Sequence, residues 1–290
     1  MVTRGLGELP LARVEVDRAA HHRGDEAFLA RAWADPTTAV LGVDGARLAV
    51  AGDALDWRSP PQMDPSTPRY LLGVDAGGRA YFAVHTALGE AGRSLREVGD
   101  RLSGADAGLG VLATALDQWH ERHPHCPRCG AATEVAMAGF VRRCPRDGSE
   151  HHPRTDPAII VLVTDPSGRR ALLGRQASWP PRRFSTLAGF VEAGESAEAA
   201  VVREVAEESA VVVASVTYLA SQAWPFPASL MLAFRAVAAG DADPVPDGEE
   251  IAQARWVSRD QLAAEVASGE LLLPPSVSIA RALIDGWAAQ

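Results

Sequence analysis

The sequence predicts an α/β fold in which a mixed sheet is sandwiched between helices, after a cysteine-containing hairpin and an α+β segment. Strand-like apolar runs follow one another after Asp156 and surround one helix that is rich in alanine and glutamate. Two further helical runs close the chain. A cysteine pair and a third cysteine precede the strands, and the proline-bounded residues 153–157 separate the two compositions, which predicts a domain boundary there.

Composition limits the classes of function. With 290 residues and a net charge of −9, the chain has room for two or three domains and lacks the excess of positive charge that a broad nucleic-acid surface needs. All 28 basic residues are arginine, which excludes lysine-dependent chemistry. The N-terminus lacks a signal-like segment, and no apolar run has membrane-spanning length. Three cysteines, an odd number, favour metal binding over disulfides, so we expect a cytoplasmic protein without membrane contact.

Residues 1–120 are predicted to form an N-terminal α+β domain. A Gly77-Gly78 turn is expected to join two strands, Pro60–Pro68 forms a proline-rich connection, and a helix is predicted over Ala105–His120. The predicted strands are Ala39–Val43, Ala46–Ala51, Tyr70–Val74 and Ala80–Val84. No catalytic pattern occurs in this segment, which favours a scaffold or a dimerisation domain.

Residues 121–155 are predicted to form a zinc-ribbon-like segment. Cys126 and Cys129 are spaced as a metal-binding knuckle, and Cys144 and Asp147 repeat that outline one hairpin later. Asp147 takes the fourth position, where a zinc ribbon usually has cysteine. Zinc accepts carboxylate or imidazole ligands, so the alternatives for the fourth ligand are His125, His151 and His152. Two interpretations stay open, a loaded zinc site and a hairpin that has lost its metal.

Residues 156–290 are predicted to hold the sandwich itself. The predicted strands are Ala158–Thr164, Arg170–Arg175, Phe184–Phe190, Val212–Ser221, Ser229–Ala238 and Ala252–Val257, and the closing helices are Ser258–Val266 and Ser276–Trp287.

The segment from Gly189 to Val211 carries the candidate chemistry. Glycines suit a tight loop, and the alanine, valine and glutamate that follow suit a helix. Spacings of three and four residues place Glu204, Glu207 and Glu208 on one face. Such a cluster of hard oxygen ligands favours Mg²⁺ or Mn²⁺, although a solvated acidic face is the ordinary alternative. The residues expected to point into a core are Val201, Val202 and Val205.

An aromatic and proline-rich run, Ser221-Gln-Ala-Trp-Pro-Phe-Pro-Ala-Ser229, follows the helix. Prolines stiffen the backbone on both sides of Phe226, and the rings of Trp224 and Phe226 can stack on a flat heterocycle. Gln222 and Ser229 add polar groups. Ordinary surface packing is the alternative explanation of such a run.

Two of these patterns together carry a family resemblance. The spacing of Gly189, Glu195 and the block Arg203-Glu204-Val205-x-Glu207-Glu208 resembles the box of the Nudix hydrolases. The aromatic run resembles the array of the NADH pyrophosphatase branch of that family, a branch that also removes NAD caps from RNA. Two positions depart from the family pattern, Ala210 where glycine is usual and Ala223 where proline is usual. The glycine departure predicts a slightly different helix exit.

The resemblance implies the Nudix α/β/α sandwich for residues 156–290, a homodimer, and a set of site residues. The glutamates Glu204, Glu207 and Glu208 would be catalytic. The Mg²⁺ or Mn²⁺ ligands would be the Ala188 carbonyl, Glu204, Glu207, Glu208 and Glu250. Substrate contacts would come from His152, Phe190, Gln222, Ala223, Trp224, Pro225, Phe226, Pro227, Ala228, Ser229 and Ala280.

The activity implied is hydrolysis of the pyrophosphate bond of NADH or NAD⁺ to nicotinamide mononucleotide and AMP, with the NAD-capped 5′ end of RNA as a further substrate. Arg203 is expected to pair with Glu195 or Glu204 and to orient the metal ligands. Two alternatives remain at this point. One is a Nudix hydrolase of another dinucleotide or sugar nucleotide, and the other is a zinc-ribbon nucleic-acid adaptor with an inactive Nudix domain.

Overall fold

The structure is a computed structural model that describes residues 6–60 and 67–290. The predicted connection over Pro60–Pro68 therefore lies largely outside the described residues. The described chain forms two compact units. We call residues 10–155 together with 223–229 the N-terminal unit, and residues 156–222 and 230–290 together with 6–9 the C-terminal unit. Among the helices of residues 6–60 and 67–290, none has both the length and the apolar character needed to cross a bilayer.

In the part of the N-terminal unit that the structure describes, there are a seven-stranded sheet, a three-stranded sheet and three α-helices. Its helices are α1 (Glu26–Ala34), α2 (Leu95–Val98) and α3 (Gly104–Arg122). Its larger sheet contains β1 (Ala39–Asp44), β2 (Arg47–Ala51), β3 (Ala54–Leu55), β4 (Trp57–Arg58), β5 (Arg69–Val74), β6 (Ala80–His85) and β7 (Gly92–Ser94). The smaller sheet contains β8 (Glu134–Ala136), β9 (Val141–Arg143) and β10 (Glu150–His151).

The strand order of the larger sheet is β3-β2-β1-β6-β5, with β4 on β1 and β7 on β2. Strands β1 and β6 are parallel, whereas β5 and β6 form the predicted antiparallel hairpin, in which Gly78 takes a positive φ of 85°. Its core includes Val40, Leu71 and Phe82, against which Phe28 and Trp33 of α1 pack. Helix α1 was not predicted, because it is only nine residues long and its apolar residues form two unbroken runs around Arg31 and not a helical spacing.

The C-terminal unit contains the predicted sandwich. Its helices are α4 (Ala197–Ser209), α5 (Arg259–Ser268) and α6 (Ile279–Ala288). Its strands are β11 (Asp156–Thr164), β12 (Arg170–Gln176), β13 (Leu187–Phe190), β14 (Val213–Trp224), β15 (Ser229–Ala238) and β16 (Ile251–Ser258). They form one sheet in the order β14-β15-β11-β12-β16, with β13 on β11.

Strand β11 shows why the sheet needs helices on both faces. All seven residues from 158 to 164 are buried, so neither face of this strand meets water. Because side chains alternate along a strand, Ile159 and Val161 lie on the face that packs with Val201 and Val205 of α4. Helix α6 contacts β11 and buries its own apolar side, including Trp287. The α/β/α prediction is therefore confirmed.

One prediction for the face of α4 was wrong. Val201 and Val205 are fully buried as expected, but Val202 is 45% exposed, and Ala200 takes part in the core instead. Ala200 and Val202 lie about 100° to either side of Val201, and the buried stripe extends toward Ala200, which leaves Val202 toward solvent.

Helix α4 ends in a left-handed residue. Ala210 has φ 55° and ψ 14°, and its amide donates to the Ala206 carbonyl. This is the conformation in which glycine usually ends a helix, so the exit keeps the geometry that glycine would give. The expectation of an altered exit is not met, because alanine accepts a conformation that is unfavourable for a residue with a Cβ atom.

We predict that Ala210→Gly stabilises the protein. The substitution removes the steric penalty of the left-handed conformation, and we expect the free energy of unfolding to rise by about 0.5–1 kcal/mol. The matched control is Ala206→Gly, at an exposed position inside the same helix, which should lower that free energy by about 0.5–1 kcal/mol. Urea denaturation measures both. If both substitutions raised the free energy of unfolding, or both lowered it, the assignment of Ala210 as a strained helix cap would be contradicted.

Candidate active site and metal sites

Helix α4 and strand β13 position the acidic cluster. The Ser196 side chain accepts from the Ala199 amide and fixes the start of α4. Glu204 then approaches the backbone of β13 so closely that a Cβ atom at Gly189 would lie 1.9 Å from its carboxyl carbon. Glycine at position 189 is therefore a requirement of the close approach between this carboxylate and the strand.

Arg203 binds three carboxylates and one carbonyl. Its Nε and Nη2 donate to the two oxygens of Glu195 at 3.0 and 2.9 Å, which is a bidentate pair. Nη1 donates to Glu204 at 2.9 Å and to Glu207 at 3.0 Å, and Nη2 also reaches the Phe190 carbonyl at 2.9 Å. The predicted pairing of Arg203 is found with both candidates. This single cation orients the cluster.

Glu204 and Glu208 are buried carboxylates. Only 8% of Glu204 and 3% of Glu208 is exposed. Burial raises the pKa of Glu204, while Arg203 opposes the shift. Burial, together with the charges of Glu204 and Glu250, raises the pKa of Glu208 to about 8. The Oε2 atom of Glu208 is buried and has no hydrogen-bond partner among the described residues.

An unpartnered buried carboxylate oxygen beside a second buried carboxylate fits a divalent cation. Desolvated like charges repel each other, and a cation coordinated by hard oxygens relieves that repulsion. Glu250 is exposed, precedes β16, and lies within electrostatic reach of Glu204 and Glu208. Ala188 lies on β13 opposite Ile160, and its amide donates to Glu208.

Glu207 differs from the other two glutamates of α4. Its side chain is 61% exposed, and its recorded partner is Arg203. The charges of Glu204 and Glu250 therefore act on Glu208, with Glu207 at the outer edge, although no three ligand atoms of these carboxylates lie within 4.8 Å of one another among the described residues.

The predicted substrate residues occupy different environments. Phe190, at the end of β13, is 60% exposed, and His152 is exposed between β10 and β11. Ala280 is 5% exposed, in the first turn of α6. Gln222 is buried. Its Nε2 donates to the Val277 carbonyl at 2.9 Å, and its Oε1 accepts from the Ile279 amide at 2.7 Å.

Both ends of the Gln222 amide are therefore occupied by chain partners, and this side chain fixes the start of α6. Ala223 is the next residue and lies inside β14. The remaining residues of the run, Pro225, Pro227 and Ala228, lie in the turn before Ser229 opens β15.

The aromatic side chains of the run form a compact pair in the N-terminal unit. The rings of Trp224 and Phe226 lie 5.1 Å apart at 73°, an edge-to-face arrangement. The Arg96 guanidinium lies 5.2 Å from the Trp224 ring centroid and 4.5 Å from that of Phe226. Gln118 donates to the Pro225 carbonyl. The predicted stacking surface thus carries a cation already stacked on it.

Arg96 was not predicted as a partner of the aromatic run. The only local signal is the capping box formed by Ser94 and Glu97 around α2, which predicts a helix start and says nothing about a ring partner more than a hundred residues away.

The cysteine hairpin brings four candidate zinc ligands together. One ligand atom from each of Cys126, Cys129, Cys144 and Asp147 lies within 4.8 Å of the other three. The Cys129 and Cys144 sulfurs are 3.5 Å apart, and the Cys126 sulfur is 3.7 Å from Asp147 Oδ2. A tetrahedral zinc with ligands at about 2.3 Å requires ligand separations of about 3.8 Å. The cluster fits that geometry.

Polar neighbours organise the charge of this cluster. The hydrogen bond with Ser149 is the main interaction that lowers the pKa of Cys126, to about 6. Hydrogen bonds with Ser149 also lower the pKa of Asp147. Burial raises the pKa of Cys144 to about 11. His151 is one of the alternative fourth ligands. Its Nε2 lies 3.2 Å from the Ser149 hydroxyl, so it contacts a neighbour of the four candidate zinc ligands.

We predict that metal-free protein loses stability as the pH rises. Glu208 ionises near 8 in the folded protein and near 4.5 in the unfolded chain, so the unfolded state is favoured progressively across that window. Glu208→Gln should remove most of this dependence and melt above the wild type at pH 9 in the presence of a chelator. Added Mg²⁺ should raise the wild-type melting temperature more than that of the variant.

A melting difference between the two proteins that stays constant from pH 5 to pH 9 would contradict the buried, raised-pKa state of Glu208. Glu198→Gln, at an exposed position in the first turn of the same helix, is the control and should follow the wild type.

Comparisons with known proteins agree with this geometry. The NUDIX domain family matches residues 154–273, and the NADH pyrophosphatase zinc ribbon domain matches residues 121–151. The chain is 42% identical over 298 aligned positions to the NAD-capped RNA hydrolase NudC of Mycobacterium tuberculosis, covering 96% of this chain and 94% of that protein. It is 40% identical to the human NAD-capped RNA hydrolase NUDT12 over 64% of this chain and 43% of that protein. The chain therefore belongs to the Nudix hydrolase family, in the branch that carries the NADH pyrophosphatase zinc ribbon.

Proposed function

We propose that the protein is a metal-dependent hydrolase that cleaves the pyrophosphate bond of NADH or NAD⁺ to nicotinamide mononucleotide and AMP, and that it removes NAD caps from RNA. The observation that carries the hydrolase assignment is the buried pair Glu204 and Glu208, with an unpartnered carboxylate oxygen. The substrate class comes from the relatives, which are named as NAD-capped RNA hydrolases.

The chain's own residues define the mechanism. Glu204, Glu208, Glu250 and the Ala188 carbonyl supply hard oxygen ligands, which suit Mg²⁺ or Mn²⁺. When bound, such a cation neutralises the pyrophosphate oxygens and lowers the pKa of a water. Arg203 holds Glu204 and Glu207 in place, and its bidentate pair with Glu195 limits its own movement. One glutamate of the cluster accepts the proton of the attacking water.

We place the flat rings of the substrate at the aromatic residues. Phe190 is exposed at the end of β13, on the same strand as Ala188, so a ring stacked on it lies close to the acidic cluster. Trp224 and Phe226 offer a second aromatic surface in the N-terminal unit. Polar groups from Ser229 and His152, and the backbone at Ala280, are the remaining proposed substrate contacts.

We predict that Glu204→Gln and Glu208→Gln each lower kcat for NADH hydrolysis by about two orders of magnitude or more, because each removes a charged ligand. Glu207→Gln should also lower it strongly. Glu198→Gln, exposed on the same helix, is the matched control and should keep wild-type kcat. Product analysis with Mg²⁺ and with Mn²⁺ is the measurement. Wild-type turnover in both the Glu204 and the Glu208 variants would refute the metal-site assignment.

We also propose that the hairpin holds one structural zinc through Cys126, Cys129, Cys144 and Asp147. Protein purified without added metal should contain about one zinc per chain. Asp147→Cys should keep that zinc because it restores a four-thiolate site, whereas Asp147→Ala should release it. His151→Ala serves as the control and should retain the metal. If the His151 variant lost zinc and the Asp147 variants kept it, the fourth zinc ligand would be His151 and not Asp147.

A cytoplasmic homodimer is the assembly that we propose. The odd number of cysteines, all free, supports a reducing compartment. The family resemblance, an N-terminal domain without chemistry of its own and the commonest symmetry of soluble assemblies support the dimer. Light scattering at micromolar concentration should report twice the chain mass of 30.6 kDa. A particle of one chain mass would exclude the dimer under those conditions.

A further inference from the structure

A groove in the N-terminal unit concentrates positive charge in an otherwise acidic protein. It has a volume of about 780 Å³ and lies between β2, β7 and the residues around α2. Three arginines, Arg47, Arg93 and Arg101, line it. The acidic residue in the lining is Glu97, whose carboxylate already accepts from the Ser94 amide in the capping box of α2.

The arginines of the groove are held in place without full neutralisation. Arg47 donates to the Gly92 carbonyl at 3.0 Å, and Arg93 donates to the carbonyls of Glu90 and Gly92. Backbone carbonyls fix a guanidinium group without cancelling its charge. Arg101 shares its charge with Asp53 at 2.8 Å, and both side chains are more than half exposed. Each guanidinium has five N–H donors, so donors remain for a ligand.

The chemistry of the groove suits phosphodiester groups. Guanidinium groups bind phosphate oxygens through paired donors, and several of them along one groove suit a polyanion. Because the chain carries a net charge of −9, a polyanion is repelled by much of the surface, and a local cationic groove offers the favourable path.

Helix α2 contributes residues both to the groove and to the aromatic pair of Trp224 and Phe226. Arg96 of α2 stacks on the rings of Trp224 and Phe226, while the adjacent residues Glu97 and Val98 line the groove. Adjacent residues have Cα atoms about 3.8 Å apart, so one short helix carries both a ring contact and part of the groove lining. All of these residues belong to the N-terminal unit.

We propose that the groove of Arg47, Arg93 and Arg101 binds the phosphodiester backbone of the RNA that follows the NAD cap. This inference rests on the proposed decapping function. It adds a binding site for the RNA chain that hydrolysis of the free dinucleotide does not use. Removal of the three charges therefore affects capped RNA and leaves NADH hydrolysis unchanged.

The test compares the two substrates in one set of variants. Arg47→Gln, Arg93→Gln and Arg101→Gln are made singly and together, and kcat/KM is measured on NADH and on a short single-stranded NAD-capped RNA. The matched control is Arg143→Gln, because Arg143 is 53% exposed and pairs with Glu150 at 2.8 Å, as Arg101 pairs with Asp53. Wild-type turnover of NADH shows that each variant is folded.

We expect the triple variant to lose about tenfold or more in kcat/KM on capped RNA, with unchanged kcat/KM on NADH and no effect of Arg143→Gln. Binding of the same RNA without its cap gives an independent readout. The slope of log affinity against log salt should become shallower by about 2, since each contacted phosphate of a single strand contributes about 0.7.

Unchanged kcat/KM on capped RNA together with an unchanged salt slope would overturn the inference. So would an equal loss on both substrates, an equal effect of Arg143→Gln, or binding of inorganic phosphate in the groove without any binding of RNA. Failure of the wild type to cleave NADH would instead refute the proposed function, and the binding of uncapped RNA would still decide whether the groove holds the chain.

Discussion

The arrangement of the candidate active site depends on one guanidinium group that several carboxylates share. Arg203 binds Glu195 through two hydrogen bonds and uses its remaining donors on Glu204, Glu207 and the Phe190 carbonyl. The loop before α4, the helix itself and the end of β13 therefore meet at one cation. Because a rigid planar fork sets these directions, lysine could not make the same set of contacts.

The burial of the acidic cluster works against the stability of the metal-free fold. Glu208 is almost completely buried, and its pKa is raised because the protein solvates its charge poorly. A site chosen for stability alone would place an apolar or amide side chain there. We attribute the carboxylate to the proposed metal site, and the apolar packing of Val201 and Val205, which lie on the same buried side of α4, offsets the cost.

Local patterns predicted the sandwich and the acidic face of α4, because strand alternation and helical spacing are properties of neighbouring residues. Contacts between distant residues could not be predicted in the same way. Gln222 is a polar residue in an aromatic run, yet its partners follow 55 and 57 residues later and bury it. The stacking of Arg96 on Trp224 joins segments that are still further apart. The prediction that Val202 points into the core was wrong because helical periodicity alone does not give the width of the buried stripe.

The short run 223–229 has a consequence for how this protein can evolve. It contains the end of β14, the turn that follows and the first residue of β15, but its packing partners Arg96 and Gln118 lie in residues 10–155 of the N-terminal unit. A recombination event that joined residues 156–290 to a new N-terminal partner would transfer the run without those partners. Exchange of the N-terminal half alone would therefore leave the rings of Trp224 and Phe226 without these partners.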